Sequence, residues 1–205
     1  MEEVSLQKHY DLLIDEGDDP VHDPPALKEY MSKWDGPEFI KALDVDKNKS
    51  VLEIGAGTGR TAVQIISQCA CYTGIDISPK AVERLNQNLL MHSNKNLICA
   101  DFLNYKFNEK FDIIYSTLTF FHIEDKTGAI MKVSSLLNSS GRFVLSISKD
   151  ISDKLIYNER SLSLFPDSVQ NIRKNIINSG LAISEIIETE LAYIFVADNN
   201  QQIGR

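Results

Sequence analysis

The residues best suited to chemistry lie where apolar runs end. Val51-Leu52-Glu53-Ile54 leads into Gly55-Ala56-Gly57-Thr58-Gly59-Arg60, an acid followed by three glycines at alternate positions. Glycine in such a turn allows positive φ and lets a ligand lie against bare backbone. Tyr72-Thr73-Gly74-Ile75-Asp76 sets a second carboxylate 17 residues past Gly59, where it can accept both hydroxyls of an adenosine ribose. Cys99-Ala100-Asp101-Phe102 adds an acid beside an aromatic ring, suited to an adenine amino group and its face. Open α/β sheets bind ligands at the C-terminal ends of their strands, so the three sites belong at one edge.

The glycine spacing separates two ligand classes. A dinucleotide fingerprint needs glycine or alanine at position 60, where this chain has Arg60. A dinucleotide also has a pyrophosphate to seat at a helix N-terminus, whereas an adenosyl sulfonium has none. Glu53 and Asp76 fall in buried strands, where an unpaired acid is costly, so a binding role explains them better than packing does. Asp101 has a second reading as the cap of the loop that follows it.

Short β-branched runs alternate with amphipathic stretches from Ser50 onward, the pattern of βα units around a mostly parallel sheet. The strands expected are 51–54, 71–77, 96–100, 111–116, 142–148, 181–190 and 191–197. Helices are expected over 60–68, from Pro79 behind a Ser78 cap, over 126–137 with Ser139-Ser140-Gly141 as its stop, and over 166–179. The stretch 102–110 reads as a loop with at most one helical turn. Before Ser50, Asp15 to Pro20 and Asp23-Pro24-Pro25 read as turns, followed by helices over 26–34 and 37–43. One domain is expected over 1–205: a helical cap (1–49), a core (50–197) and a loose polar tail (198–205).

Composition narrows the partners. Twenty-one Lys plus Arg against 29 Asp plus Glu give a net charge of -8, with the basic residues scattered. Such a chain repels a phosphate backbone, so nucleic acid is not expected as a partner. No apolar run of about 18 residues appears and the chain opens Met1-Glu2-Glu3, so no membrane partner and a cytoplasmic location are expected. Cys69, Cys71 and Cys99 form no Cys-x-x-Cys pair; they read as small buried hydrophobes, and no metal site is expected.

On the three strand-end motifs the chain resembles the class I S-adenosylmethionine-dependent methyltransferases, from about Trp34 to Ala197. The resemblance implies a Rossmann-like, seven-stranded, mostly parallel sheet with helices on both faces and an antiparallel last strand. It implies S-adenosylmethionine as cofactor, held by Glu53, Gly55, Gly57, Gly59, Asp76, Ile77, Asp101, Phe102 and Ser116. Phe111 to Ser116 followed by Phe120-Phe121-His122-Ile123 resembles the small-molecule branch. Ser116-Thr117-Leu118-Thr119 stands where amino-directed DNA and protein-glutamine methyltransferases carry an acid or amide, two prolines and an aromatic, so those activities are not expected.

Methyl transfer from a sulfonium is an in-line displacement, in which the protein mainly aligns the reactants and excludes water. His122 is either a general base for a protonated acceptor or a structural histidine. Tyr10, His22, Tyr30 and Trp34 in the cap, with Phe121, could line an acceptor pocket, or the cap residues could simply pack on the sheet. Two other classes stay open: an adenosyl-binding protein without activity, and a dinucleotide-dependent oxidoreductase.

Overall fold

The computed structural model describes residues 2–200. The chain opens with β1 (Glu2–Glu3), α1 (Leu6–Asp15), α2 (Pro25–Met31) and α3 (Gly36–Leu43). Then follow β2 (Ser50–Ile54), α4 (Ala62–Ile65), β3 (Cys71–Asp76), α5 (Pro79–Asn88), β4 (Lys95–Cys99) and β5 (Phe111–Ser116). The second half comprises α6 (Lys126–Leu136), β6 (Leu137–Ser148), β7 (Lys154–Tyr157), β8 (Arg160–Ser163), α7 (Val169–Asn178), β9 (Ala182–Glu188) and β10 (Ala192–Asp198).

Seven strands form one sheet in the order β4-β3-β2-β5-β6-β10-β9, and β10 pairs antiparallel with both neighbours while the other pairs are parallel. This is the α/β arrangement that the alternating pattern calls for. Successive side chains of a strand face opposite ways, so each strand feeds two cores. Leu52, Ile54 and Ile114 pack with α6 and α7 through Ile130, Val133, Ile172 and Ile176. Val51, Ile113 and Tyr115 pack on the other face with Phe39, Ile65 and Leu85 from α3, α4 and α5. Among the described residues no helix is long and apolar enough to cross a membrane.

Several local expectations need correction. The helix expected over 60–68 is a four-residue α4 ending in a 3-10 turn, Ile66–Gln68. Ser139-Ser140-Gly141 does not separate helix from strand, because α6 passes straight into β6 at Leu137, which pairs with Phe111. Ser140 instead takes a φ of 67° within the strand, and its N–H donates to the Asn199 carbonyl at 2.8 Å. Asp198, assigned to the loose tail, is the last residue of β10 and pairs with Arg142, and Asn199 is buried. Residues 201–205 of that tail lie outside the described residues. Cys69 is buried as expected, but Cys71 and Cys99, at the ends of β3 and the edge strand β4, are exposed.

Two elements had no counterpart in the sequence reading. One is α1, whose cap Ser5 accepts from the Lys8 N–H. The other is the β7–β8 hairpin, which turns at Asn158 with φ 53° and joins β1 in a three-stranded sheet. Together they roof the sheet. Arg160 on β8 donates through both terminal nitrogens to Glu16 and through Nε to His9 Nδ1 at 3.1 Å. Asp11 accepts from Ser78 Oγ at 2.6 Å, and Asp15 pairs with Lys80 at 2.5 Å, which fastens α1 to the start of α5.

Candidate functional site

A cavity of about 360 Å³ opens where β2, β3, β4 and β5 end. Its floor is Gly55, Gly57, Asp76 and Ile77, with Glu53 behind and Asp101 and Phe102 at one side. Leu6, Tyr10 and Met31 roof it, and Phe121 and His122 close the remaining wall. The three motif ends thus share one space.

Each acid there is held differently. Glu53 is 2% exposed, and Tyr72 donates to its Oε2 at 2.5 Å. Burial pushes its carboxyl up to about 7, against the phenols of Tyr72 and Tyr115 and the charge of Arg60. Asp76 Oδ2 accepts from the Gly57 N–H at 2.8 Å and Oδ1 from the Ser78 N–H at 2.9 Å, yet burial still raises its carboxyl. Asp101 accepts from the N–H of Leu103 at 3.0 Å and from the Asn104 amide, so it does cap the turn that follows while bordering the cavity.

Two glycines of the loop do different jobs. Gly57 has a φ of 51° and open space where a Cβ would stand, leaving room for a ligand beside the loop. Gly59 does not border the cavity; a Cβ there would lie 2.5 Å from Leu85 Cδ1, so its role is close packing against α5.

The other expected residues divide between site and scaffold. Ser116 does not border the cavity: it is fully buried and donates to the Ile54 carbonyl at 2.9 Å, tying β5 to β2. Tyr10 and Phe121 do border it. Tyr30 does not; it is 49% exposed and packs edge-on against Trp34. Trp34 is likewise outside, with Nε1 3.4 Å from Ser148 Oγ and its carbonyl accepting from Ser146 Oγ. His22 lies apart from the cavity, with Nε2 3.2 Å from Asn88 Oδ1. Of these three, Tyr30 is exposed, while Trp34 reaches β6 and His22 reaches α5 away from the cavity, distinctions that sequence alone does not draw.

His122 follows a single 3-10 turn, Phe120–His122, and its Nε2 is 2.7 Å from the Tyr10 hydroxyl. Burial, with His9 and the Lys126 ammonium nearby adding to it, pushes the imidazole down to about 3. A histidine so placed is neutral but a weak proton acceptor. His9, next to Tyr10 on α1 and not singled out in the sequence, has its ring 5.2 Å from that of Tyr10.

One buried pair was not foreseen. Arg60 clasps Asp35 with both terminal nitrogens, at 3.0 and 2.5 Å, and Thr117 Oγ1 donates to the same carboxylate at 2.7 Å. Burial would raise the Asp35 carboxyl, but Arg60, Thr117 and the Gly36 N–H together hold it below its ordinary value. The pair ties the glycine loop to the start of α3 and to the turn after β5. Its sequence trace was Arg60 itself, noted above only for breaking the dinucleotide spacing.

Known proteins share this frame. A family model described as a methyltransferase domain matches residues 45–195. A malonyl-[acyl-carrier protein] O-methyltransferase of Ilyobacter polytropus is 33% identical over 102 residues, 49% of this chain and 38% of that protein. An rRNA adenine N-6-methyltransferase of Limosilactobacillus reuteri is 26% identical over 129 residues, 62% of this chain and 51% of that protein. The matches therefore span between about two fifths and half of those relatives' own length. A solved structure described as a DhpI–SAH complex superposes with a TM-score of 0.76 at 14% identity, covering 96% of each chain. With the family model running over most of its length, the chain belongs to the methyltransferase-domain family, with the class I, Rossmann-like fold.

Proposed function

We propose that the protein transfers a methyl group from S-adenosylmethionine to a small-molecule acceptor by direct in-line displacement. The observation that carries this reading is the charge of the cavity. Glu53, Asp76 and Asp101 border it, and the one arginine there, Arg60, is neutralised by Asp35. Such a lining suits a ligand carrying a sulfonium and an ammonium and repels a pyrophosphate, which favours the adenosyl cofactor over a dinucleotide. A volume of about 360 Å³ also falls at the lower end of the range for small-molecule sites.

In this reading Glu53 meets the cofactor's ammonium, the Gly55 and Gly57 backbone lies along its amino-acid arm, Asp76 and Ile77 hold the ribose, and Asp101 and Phe102 frame the adenine. When bound, the cofactor supplies a methyl group on an already activated leaving group. The chain's own part is to align the acceptor under the α1 roof and to keep water out, which apolar Leu6, Met31 and Phe121 favour.

The relatives named above act on an acyl-carrier-linked malonyl group and on rRNA. A net charge of -8 supports the small-molecule side. A cytoplasmic location fits three free cysteines. We read the cap, residues 1–49, and the core as one functional unit, since Tyr10 of the cap completes the cavity wall.

Asp76→Ala tests the cofactor assignment. It removes a carboxylate that would accept two hydroxyls, so affinity for S-adenosylhomocysteine should fall about a hundredfold or more in calorimetric titration, with the fold retained by circular dichroism. Unchanged affinity would show that Asp76 does not hold the ribose.

A further inference from the structure

Helix α2 is held by very little. Its residues, Pro25–Met31, include none that is buried, and its large apolar side chains Leu27 and Tyr30 are 40% and 49% exposed. Pro24 at its N-cap supplies no side-chain bond. Among the described residues, every hydrogen bond that 25–31 make stays within 24–34. A helix this short does not sustain itself in water, and most helices are held by the face they bury. The chain on either side is fastened. Asp19 accepts from Arg84 Nη1 at 3.1 Å and from Asn88 Nδ2 at 3.2 Å. The Lys33 carbonyl accepts from the Leu191 N–H at 3.0 Å and from Thr189 Oγ1 at 2.7 Å, and Arg60 clasps Asp35 just beyond.

What α2 covers gives this loose mounting a use. Met31, its last residue, borders the cofactor cavity. A second cavity, of about 610 Å³, is walled by Lys28 of α2, Ile40 of α3 and Gln64 of α4. The two cavities share Pro20, Arg60 and Thr61, so they meet where the glycine loop runs into α4. Helix α2 therefore borders both spaces. The other roof element, α1, is pinned by Arg160, Ser78 and Lys80, which leaves α2 as the part of the roof that is free to move.

We propose that α2 is a gate: residues 23–32 swing out between the fixed points at Asp19 and Lys33, joining the two cavities into one cleft through which S-adenosylmethionine enters and S-adenosylhomocysteine leaves. The inference rests on the cofactor reading above and adds its route of exchange. With the gate shut, Met31 covers the bound cofactor and keeps water from the sulfonium. The ligand-free protein already has α2 in the closed position, so association is slowed by the fraction of molecules that are open. A fixed roof acts differently: its contacts slow dissociation and leave association alone.

Two measurements on the full chain test this, both with S-adenosylhomocysteine as the probe. Amide exchange should be fast over 25–31 in the free protein and slowed about tenfold or more by saturating ligand, with α3 protected in both states. Stopped-flow fluorescence of Trp34, the chain's one tryptophan, which packs edge-on against Tyr30 of α2, then gives the binding rates. Leu27→Gly/Lys28→Gly should unwind α2 without disturbing the core, both side chains being exposed. It should raise the association and dissociation rates together, each by about fivefold or more. Slow exchange over 25–31 in the free protein, exchange there that ignores the ligand, or an association rate unchanged in the variant would each overturn the proposal. Failure of S-adenosylhomocysteine to bind the unaltered protein would instead overturn the cofactor reading on which this one stands.

Discussion

Lys126→Met tests how the wall that carries His122 is held in place. Lys126 opens α6, and its Nζ lies 2.8 Å from the Phe120 carbonyl, 3.0 Å from that of Ile123 and 2.7 Å from that of Phe165. It is also 3.1 Å from Asp167 Oδ1, and the two side chains are 14% and 1% exposed. One ammonium thus pins the turn after β5 to the segment that returns from the β7–β8 hairpin. Methionine keeps the stem's volume and removes the charge, leaving the Asp167 carboxylate buried among groups that do not bond it. Breaking a buried pair from one side costs about 3–5 kcal/mol. The carbonyls add little beyond that, because water can reach this partly exposed position once the ammonium is gone. The expected loss is therefore a large share of the roughly 5–15 kcal/mol that stabilises an ordinary domain.

The loss should depend on pH. Burial already raises the Asp167 carboxyl, with Lys126 opposing it, so without Lys126 it rises further. A raised folded pKa leaves stability intact below the unfolded value and removes it as pH climbs through the folded one. Urea denaturation should therefore show Lys126→Met losing more at about pH 8 than at about pH 5. Lys126→Met/Asp167→Asn should regain a substantial part. A loss under about 1 kcal/mol, or a double variant no better than the single one, would refute the idea that this pair anchors the wall.

Other perturbations address the roof and the floor. Arg160→Met removes the bonds to Glu16 and His9 that fasten α1, so amide exchange over 6–15 should quicken while β2 and β5 stay protected; uniform exchange would deny α1 its role as a separable roof. Glu53, raised to about 7, carries folding stability that is present below its ordinary carboxylate pKa and fades as pH rises through about 7. Glu53→Gln should accordingly flatten the pH dependence of ligand-free stability and weaken S-adenosylhomocysteine most at alkaline pH, where Glu53 is ionised; an unaltered pH profile would move the cofactor's ammonium elsewhere. Gly57→Ala, which adds a Cβ at a φ of 51° facing the open cavity, should cost about 1 kcal/mol of stability and reduce ligand affinity by more, whereas undiminished affinity would separate that glycine from the cofactor.

How much of this was legible depended on whether a residue's role followed from its own strand. Glu53, Asp76 and Asp101 could be placed because each ends an apolar run, and parallel strands bring such ends to one edge. Gly59 and Ser116 belong to the same motifs but serve packing, a distinction set by Leu85 and the Ile54 carbonyl across the fold. Tyr30 and Trp34 were indistinguishable from Tyr10 in type, yet Tyr10 borders the cavity from α1 while Tyr30, on α2 beside the cavity-lining Met31, is half exposed and Trp34 lies outside. Helix α1 escaped notice although Ser5 caps it, because its apolar face is short and broken by charges. The β7–β8 hairpin is only four residues a side and half exposed, so its alternation is weak and its partner β1 is distant in sequence. The Arg60–Asp35 clasp joins residues 25 apart and is fixed by tertiary packing alone.

The most direct test of the central claim is calorimetric titration of the protein with S-adenosylhomocysteine, with NAD as the control. Micromolar binding of S-adenosylhomocysteine alone is the predicted result; binding of NAD alone, or of neither, would contradict the assignment of Glu53, Gly57, Asp76 and Asp101 to an adenosyl sulfonium.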